Sequence, residues 1–89
     1  MLQPDYTNKF KKDYKQSIKR NLDISLIDAV ICDLINEIPL DKKHNDHALS
    51  GNYDGYRECH IKPDWLLIYQ IGNGIIVFER TGTHSDLFQ

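Results

Sequence analysis

The chain has 89 residues, 40% hydrophobic and 27% charged, the mix of one small globular domain over residues 1–89. A net charge of −2 and a pI near 6.0 argue against a protein that coats nucleic acid by bulk charge, and no apolar run is long enough to cross a bilayer. The start of the chain has no apolar signal-peptide core, and Cys32 and Cys59 match no zinc or CxxC spacing, so a cytoplasmic protein with reduced thiols and no bound metal is expected.

Residues 3–6 have room for a short edge strand. Tyr6, Phe10, Tyr14 and Ile18 recur every four residues, which predicts an amphipathic helix capped by Asp5 or Thr7. Between Lys9 and Arg20 six residues are basic and one is acidic. Asn21-Leu22-Asp23 breaks the pattern. Ile27, Val30, Ile31, Leu34, Ile35 and Ile38 form a second helical stripe, ended by Pro39, because the residue before a proline avoids helical backbone. Residues 40–54 are polar and read as a loop. Strands are expected at 56–61, 65–71 and 75–80, the last two joined at Asn73-Gly74, a strong hairpin signal. The final residues read as a turn and a short tail. The fold class is α+β, with two N-terminal helices packed on a small, mainly antiparallel twisted sheet.

All four histidines fall after residue 43, where three residues are basic and six acidic. If Lys62-Pro63 makes the turn, His60 faces Trp65 across the ladder, with Asp64 beside them. A two-residue Asn73-Gly74 turn pairs Leu67 with Arg80 and puts Arg80 on the face of Trp65, whereas a three-residue turn breaks that register. His84 lies in the tail, and His47 can approach from the loop. His60, His84, Asp64 and Arg80 are the ingredients of metal-free RNA cleavage. A 2′-OH must lose a proton to attack phosphorus, the departing oxygen must gain one, and histidine titrates in the right range. Arginine suits the phosphate because its charge is permanent and its donors form a planar fork. Trp65, Tyr56 and Phe88 offer rings for stacking on bases. The plain alternatives are a structural strand histidine, a core tryptophan, and Arg80 or Glu79 in exposed ion pairs with Glu58 or Arg57. His44 and His47 supply too few ligands for a zinc site. Lys11, Lys15 and Lys19 form a basic stripe that is either solvated surface or a grip on RNA phosphates.

Three segments in order, DHALSG, YRECHIKPDWLLIY and FERTGTHSDLF, resemble the YafQ toxins, a branch of the RelE superfamily found in bacterial type II toxin–antitoxin modules. The resemblance spans residues 46–88, and the helical half agrees in layout. It implies a RelE-like fold and an endoribonuclease that cuts mRNA in the ribosomal A site without a cofactor. The family's catalytic positions fall on His47, His60, Asp64, Arg80 and His84, and its aromatic positions on Trp65 and Phe88. It also implies a cognate antitoxin that silences the toxin, and operator DNA bound through that antitoxin. Ala48 stands where the family pattern has proline, and the net charge is negative where these toxins are usually basic. His84 is the expected general acid, because a mobile tail can follow the leaving oxygen, with His60 or Asp64 as base. The rival readings are a ParE-like toxin that inhibits DNA gyrase by binding, and an inactive antitoxin-binding module. Neither needs the histidine and arginine set.

Overall fold

Thr7 starts the first helix. In the computed structural model, which describes residues 1–88, a short strand β1 (Gln3–Tyr6) leads through Thr7 into α1 (Asn8–Lys19). The Thr7 backbone is extended, and its Oγ1 accepts the Phe10 N–H at 3.0 Å, satisfying one of the amides that a helix start leaves free. Asp5 accepts from Tyr6 instead. Asp23 caps α2 (Ile24–Ile35) in the same manner through the Ser25 N–H. Each helix ends two residues before a left-handed residue, Asn21 (φ 60°) and Glu37 (φ 59°). The following amides reach back, Leu22 to Ser17 O at 3.1 Å and Ile38 to Asp33 O at 2.9 Å. The second helix therefore stops at Ile35, short of the stripe's last member, and Ile38 is exposed.

The four-residue spacing also drifts in α1. A step of four residues overshoots a full turn by about 40°. Ile18 has rotated off the core face, and Ser17 is buried in its place. Tyr6 belongs to β1 rather than to the helix, and its ring stacks on Phe78 with centroids 5.3 Å apart.

The remaining strands are β2 (His47–Ala48), β3 (Arg57–Lys62), β4 (Trp65–Gly72) and β5 (Ile75–Gly82), followed by a short helix α3 (His84–Phe88). The sheet order is β1-β5-β4-β3-β2, with β1 parallel to β5 and the other pairs antiparallel. Both helices cover one face, where Phe10, Ile27, Val30, Leu67 and Phe78 form the main core. Each such side chain, fully buried, contributes about 1.5–3 kcal/mol. The opposite face carries a smaller cluster, Leu66, Ile68 and Leu87, flanked by Leu49, Tyr53 and Tyr56.

Two register shifts decide which face the polar residues take. Asn73 (φ 53°) and Gly74 (φ 76°) make the expected two-residue turn, and Gly72 pairs with Ile75. Further along, Tyr69 pairs with Phe78 but Ile68 pairs with Arg80, so Glu79 is one residue extra. In β3, His60 pairs with Leu66 and Lys62 with Trp65, so Ile61 is extra there. Strand side chains alternate between faces, and one inserted residue reverses everything beyond it. His60 and Arg80 therefore stand on the face opposite Trp65. The expected pairs His60–Trp65 and Leu67–Arg80 do not form.

Candidate active site

The shifts gather the polar residues on the face away from α1 and α2. One ladder row reads Arg80, Ile68, Glu58, His47, and the next reads Gly82, Leu66, His60. The His47 and His60 ring centroids are 6.2 Å apart, and those of His60 and His84 are 6.0 Å apart.

His47 sits on a strand within the expected loop. It pairs with Glu58, and Ala48 pairs with Arg57. Its Nδ1 lies 2.6 Å from Asn45 O and its Nε2 3.3 Å from Glu58 Oε1. Both nitrogens face acceptor oxygens. The same Glu58 oxygen lies 3.5 Å from His60 Nε2. Glu58 is only 5% exposed, and a carboxylate so enclosed needs donors or positive partners, here two imidazoles. By sequence alone Glu58 is only a candidate ion-pair partner for an arginine. Its spacing two residues before His60, which puts both on one strand face, was the available signal.

His84 is held by Asp64. Its Nδ1 lies 2.6 Å from Asp64 Oδ1, and its backbone N–H donates to the same oxygen at 2.9 Å. That backbone bond first, and the imidazole second, hold the Asp64 carboxyl below its ordinary range. The expected mobile tail is instead an anchored helix. Thr83 and Asp86 bond reciprocally, each side chain accepting the other's N–H, at 2.9 and 3.1 Å. Arg20 on α1 donates to both Asp86 oxygens, at 2.7 and 3.3 Å, and holds this carboxyl well below the usual carboxylate range. A Cβ at Gly82 would lie 2.9 Å from Asp86 Oδ2, so the approach of α3 requires glycine.

Arg80 is held side-on by Asp13 of α1, through Nε at 2.7 Å and Nη2 at 3.2 Å, which leaves Nη1 outside the pair. Asp13 also accepts the Thr81 N–H. Trp65 is not a stacking platform. It is 4% exposed on the helix side, and its Nε1–H donates to Thr81 Oγ1 at 3.0 Å. Phe88 is exposed, 6.4 Å from the His84 ring, and edge-on to Tyr53, which meets Tyr56 in turn. Lys11, Lys15 and Lys19 are exposed. Lys11 borders an apolar groove of about 470 Å³ between α1 and α2, whereas the flank of α1 beside Arg80 presents Asp13, Gln16 and Arg20. Among the described residues, no group of three or more His, Cys, Asp or Glu side chains is arranged to hold a metal ion.

Comparison with known proteins places the chain in a class of small bacterial proteins, the toxins of type II toxin–antitoxin systems. The chain belongs to the YafQ family of these toxins, whose family model matches residues 2–89. It is 42% identical to the mRNA interferase toxin YafQ of Escherichia coli K12, over 99% of each chain. It superposes on a chain of the E. coli DinJ–YafQ complex with a TM-score of 0.93, at 39% identity with both chains covered in full. A metal-bound toxin from Helicobacter pylori superposes with a TM-score of 0.92, at 42% identity over 99% of this chain and all of the other.

Proposed function

We propose that this toxin cuts mRNA in the ribosomal A site by metal-free acid–base catalysis, and that a cognate antitoxin silences it in the cytoplasm. It is an endoribonuclease, as is the mRNA interferase that it resembles along its whole length. An antitoxin partner follows from the DinJ–YafQ complex, and operator DNA would be reached through that partner.

The observation that carries the mechanism is the pair of imidazoles, His60 and His84, 6.0 Å apart with a separate carboxylate on each. Their spacing lets both serve one scissile phosphodiester. His60 takes the proton of the attacking 2′-OH, and Glu58 steadies the imidazolium that results. His84 gives a proton from Nε2 to the departing 5′-oxygen, while Asp64 holds Nδ1–H and fixes the ring. Asp64 itself is a poor base, because His84 occupies its oxygen and holds its carboxyl low. The P–O bond to the 5′-oxygen breaks as the 2′-oxygen bonds phosphorus, leaving a cyclic phosphate and a free 5′-hydroxyl. Charge on the non-bridging oxygens meets Arg80 Nη1 and the His47 ring. Phe88 offers the exposed ring for a flanking base.

Primer extension on mRNA after induction in cells tests this reading. Ribosome-dependent cuts are expected, and supercoiling defects without cuts would favour gyrase inhibition instead. EDTA, with polyamines keeping the ribosomes intact, should leave cleavage unchanged. Loss restored by zinc would overturn the metal-free step.

A further inference from the structure

The fourth histidine has no part in the mechanism above, yet it is tied to it. His44 ends a 3₁₀ turn, Lys42–His44, and its Nδ1 lies 2.7 Å from the carbonyl oxygen of His60. A carbonyl only accepts, so Nδ1 carries the proton in this contact. β2 covers β3 only at Arg57 and Glu58. Beyond that point, among the described residues, the outer edge of β3 has no strand beside it, and His60 is where the register shift begins. An edge carbonyl next to a bulge has little to hold it. His44 supplies the bond that another strand would have made.

The support is itself fixed. Asp41 accepts the Lys43 N–H through Oδ1 and the His44 N–H through its carbonyl, both at 3.0 Å. Asn45 then turns left-handed (φ 44°) and presents its carbonyl to His47 Nδ1. Residues 41–47 thus hold the ring of His47 and the backbone of His60, whose Nε2 atoms both face Glu58.

We propose that His44 is a positioning residue. It fixes the His60 backbone, keeps that imidazole at Glu58 and opposite His84, and acts on cleavage through His60 without touching RNA. This rests on the reading of His60 as the general base. Small misplacements of a proton-transfer group are costly, since alignment supplies much of the rate.

The test uses full-length toxin released from its antitoxin, with single-turnover cleavage measured on programmed ribosomes. His44→Phe keeps a ring but removes the donor, and His44→Asn returns an N–H close to the position of Nδ1. The Phe variant should lose about tenfold in the cleavage rate at unchanged ribosome affinity. The Asn variant should recover most of that loss. The NMR titration midpoint of His60 should move in the Phe variant and return in the Asn variant. Wild-type cleavage by His44→Phe overturns the proposal, as do equal losses in both variants that track their melting temperatures. His60→Ala, run in parallel, separates the two readings. If it cleaves normally, the catalytic assignment of His60 fails. If it is inactive while His44→Phe is normal, only the positioning role fails.

Discussion

The imidazole and the backbone amide of His84 both end on one oxygen, Asp64 Oδ1, at 2.6 and 2.9 Å. The shared acceptor sets the ring's orientation and leaves Nε2 for the substrate. His84→Ala and His60→Ala should each lower single-turnover cleavage by roughly 10²-fold or more. Asp64→Asn should cost less, because its amide oxygen can still accept both donors and only the charge is lost. More than half of the His84 side chain is exposed, so His84→Ala should change the melting temperature little. Wild-type cleavage by His84→Ala would remove it from the mechanism.

The Arg20–Asp86 pair makes stability depend on pH. The Asp86 carboxyl ionises near 3.8 in an unfolded chain and well below that in the fold. As pH falls, the unfolded state takes up this proton first. The pair's stabilisation is therefore complete above about pH 4 and is lost as pH drops from there towards the folded value. The melting temperature of Arg20→Ala should fall below wild type at pH 7, and the gap should begin to close below about pH 4 and shrink further as pH drops. Salt should narrow it, because the pair is partly exposed. Thermal melts across pH check this, and a pH-independent gap would assign the effect to packing.

Trp65 belongs to the core. Trp65→Phe should leave ribosome affinity unchanged while removing the bond to buried Thr81, a loss of about 1–3 kcal/mol. Denaturant unfolding beside co-sedimentation separates the two effects. A drop in affinity at unchanged stability would restore a role in RNA contact.

The lysine stripe is spaced along a different side of α1 from Asp13, Gln16 and Arg20, the residues beside Arg80. Changing Lys11, Lys15 and Lys19 together to Glu should leave the fold intact. Ribosome binding should weaken by at least about tenfold and lose part of its salt dependence, since fewer counterions are released. Co-sedimentation across a salt series measures both. An unchanged affinity and slope would mark the stripe as solvated surface.

Much of this protein was legible in short stretches of its sequence. Thr7 and Asp23 cap helices by local bonds, Asn73-Gly74 turns a hairpin through its own backbone preference, and the apolar stripes mark two helices. The three ordered motifs also named His47, His60 and His84, whose rings the fold brings side by side, but not Glu58, which lies between His47 and His60. Their placement depended on the tertiary structure. The extra residues Ile61 and Glu79 carry no local mark, yet each reverses a strand's facing and together they move His60 and Arg80 away from Trp65. Arg20 reaches Asp86, and Asp13 reaches Arg80, across most of the chain's length. Only the packing of α1 along β5 makes those bonds, and they turn an expected mobile tail into a fixed helix. Local preferences act over a few residues and can be read in order. Facing and long-range pairing are settled jointly by the whole sheet, because one shift in register is cheap where it occurs and changes the neighbours of every residue beyond it.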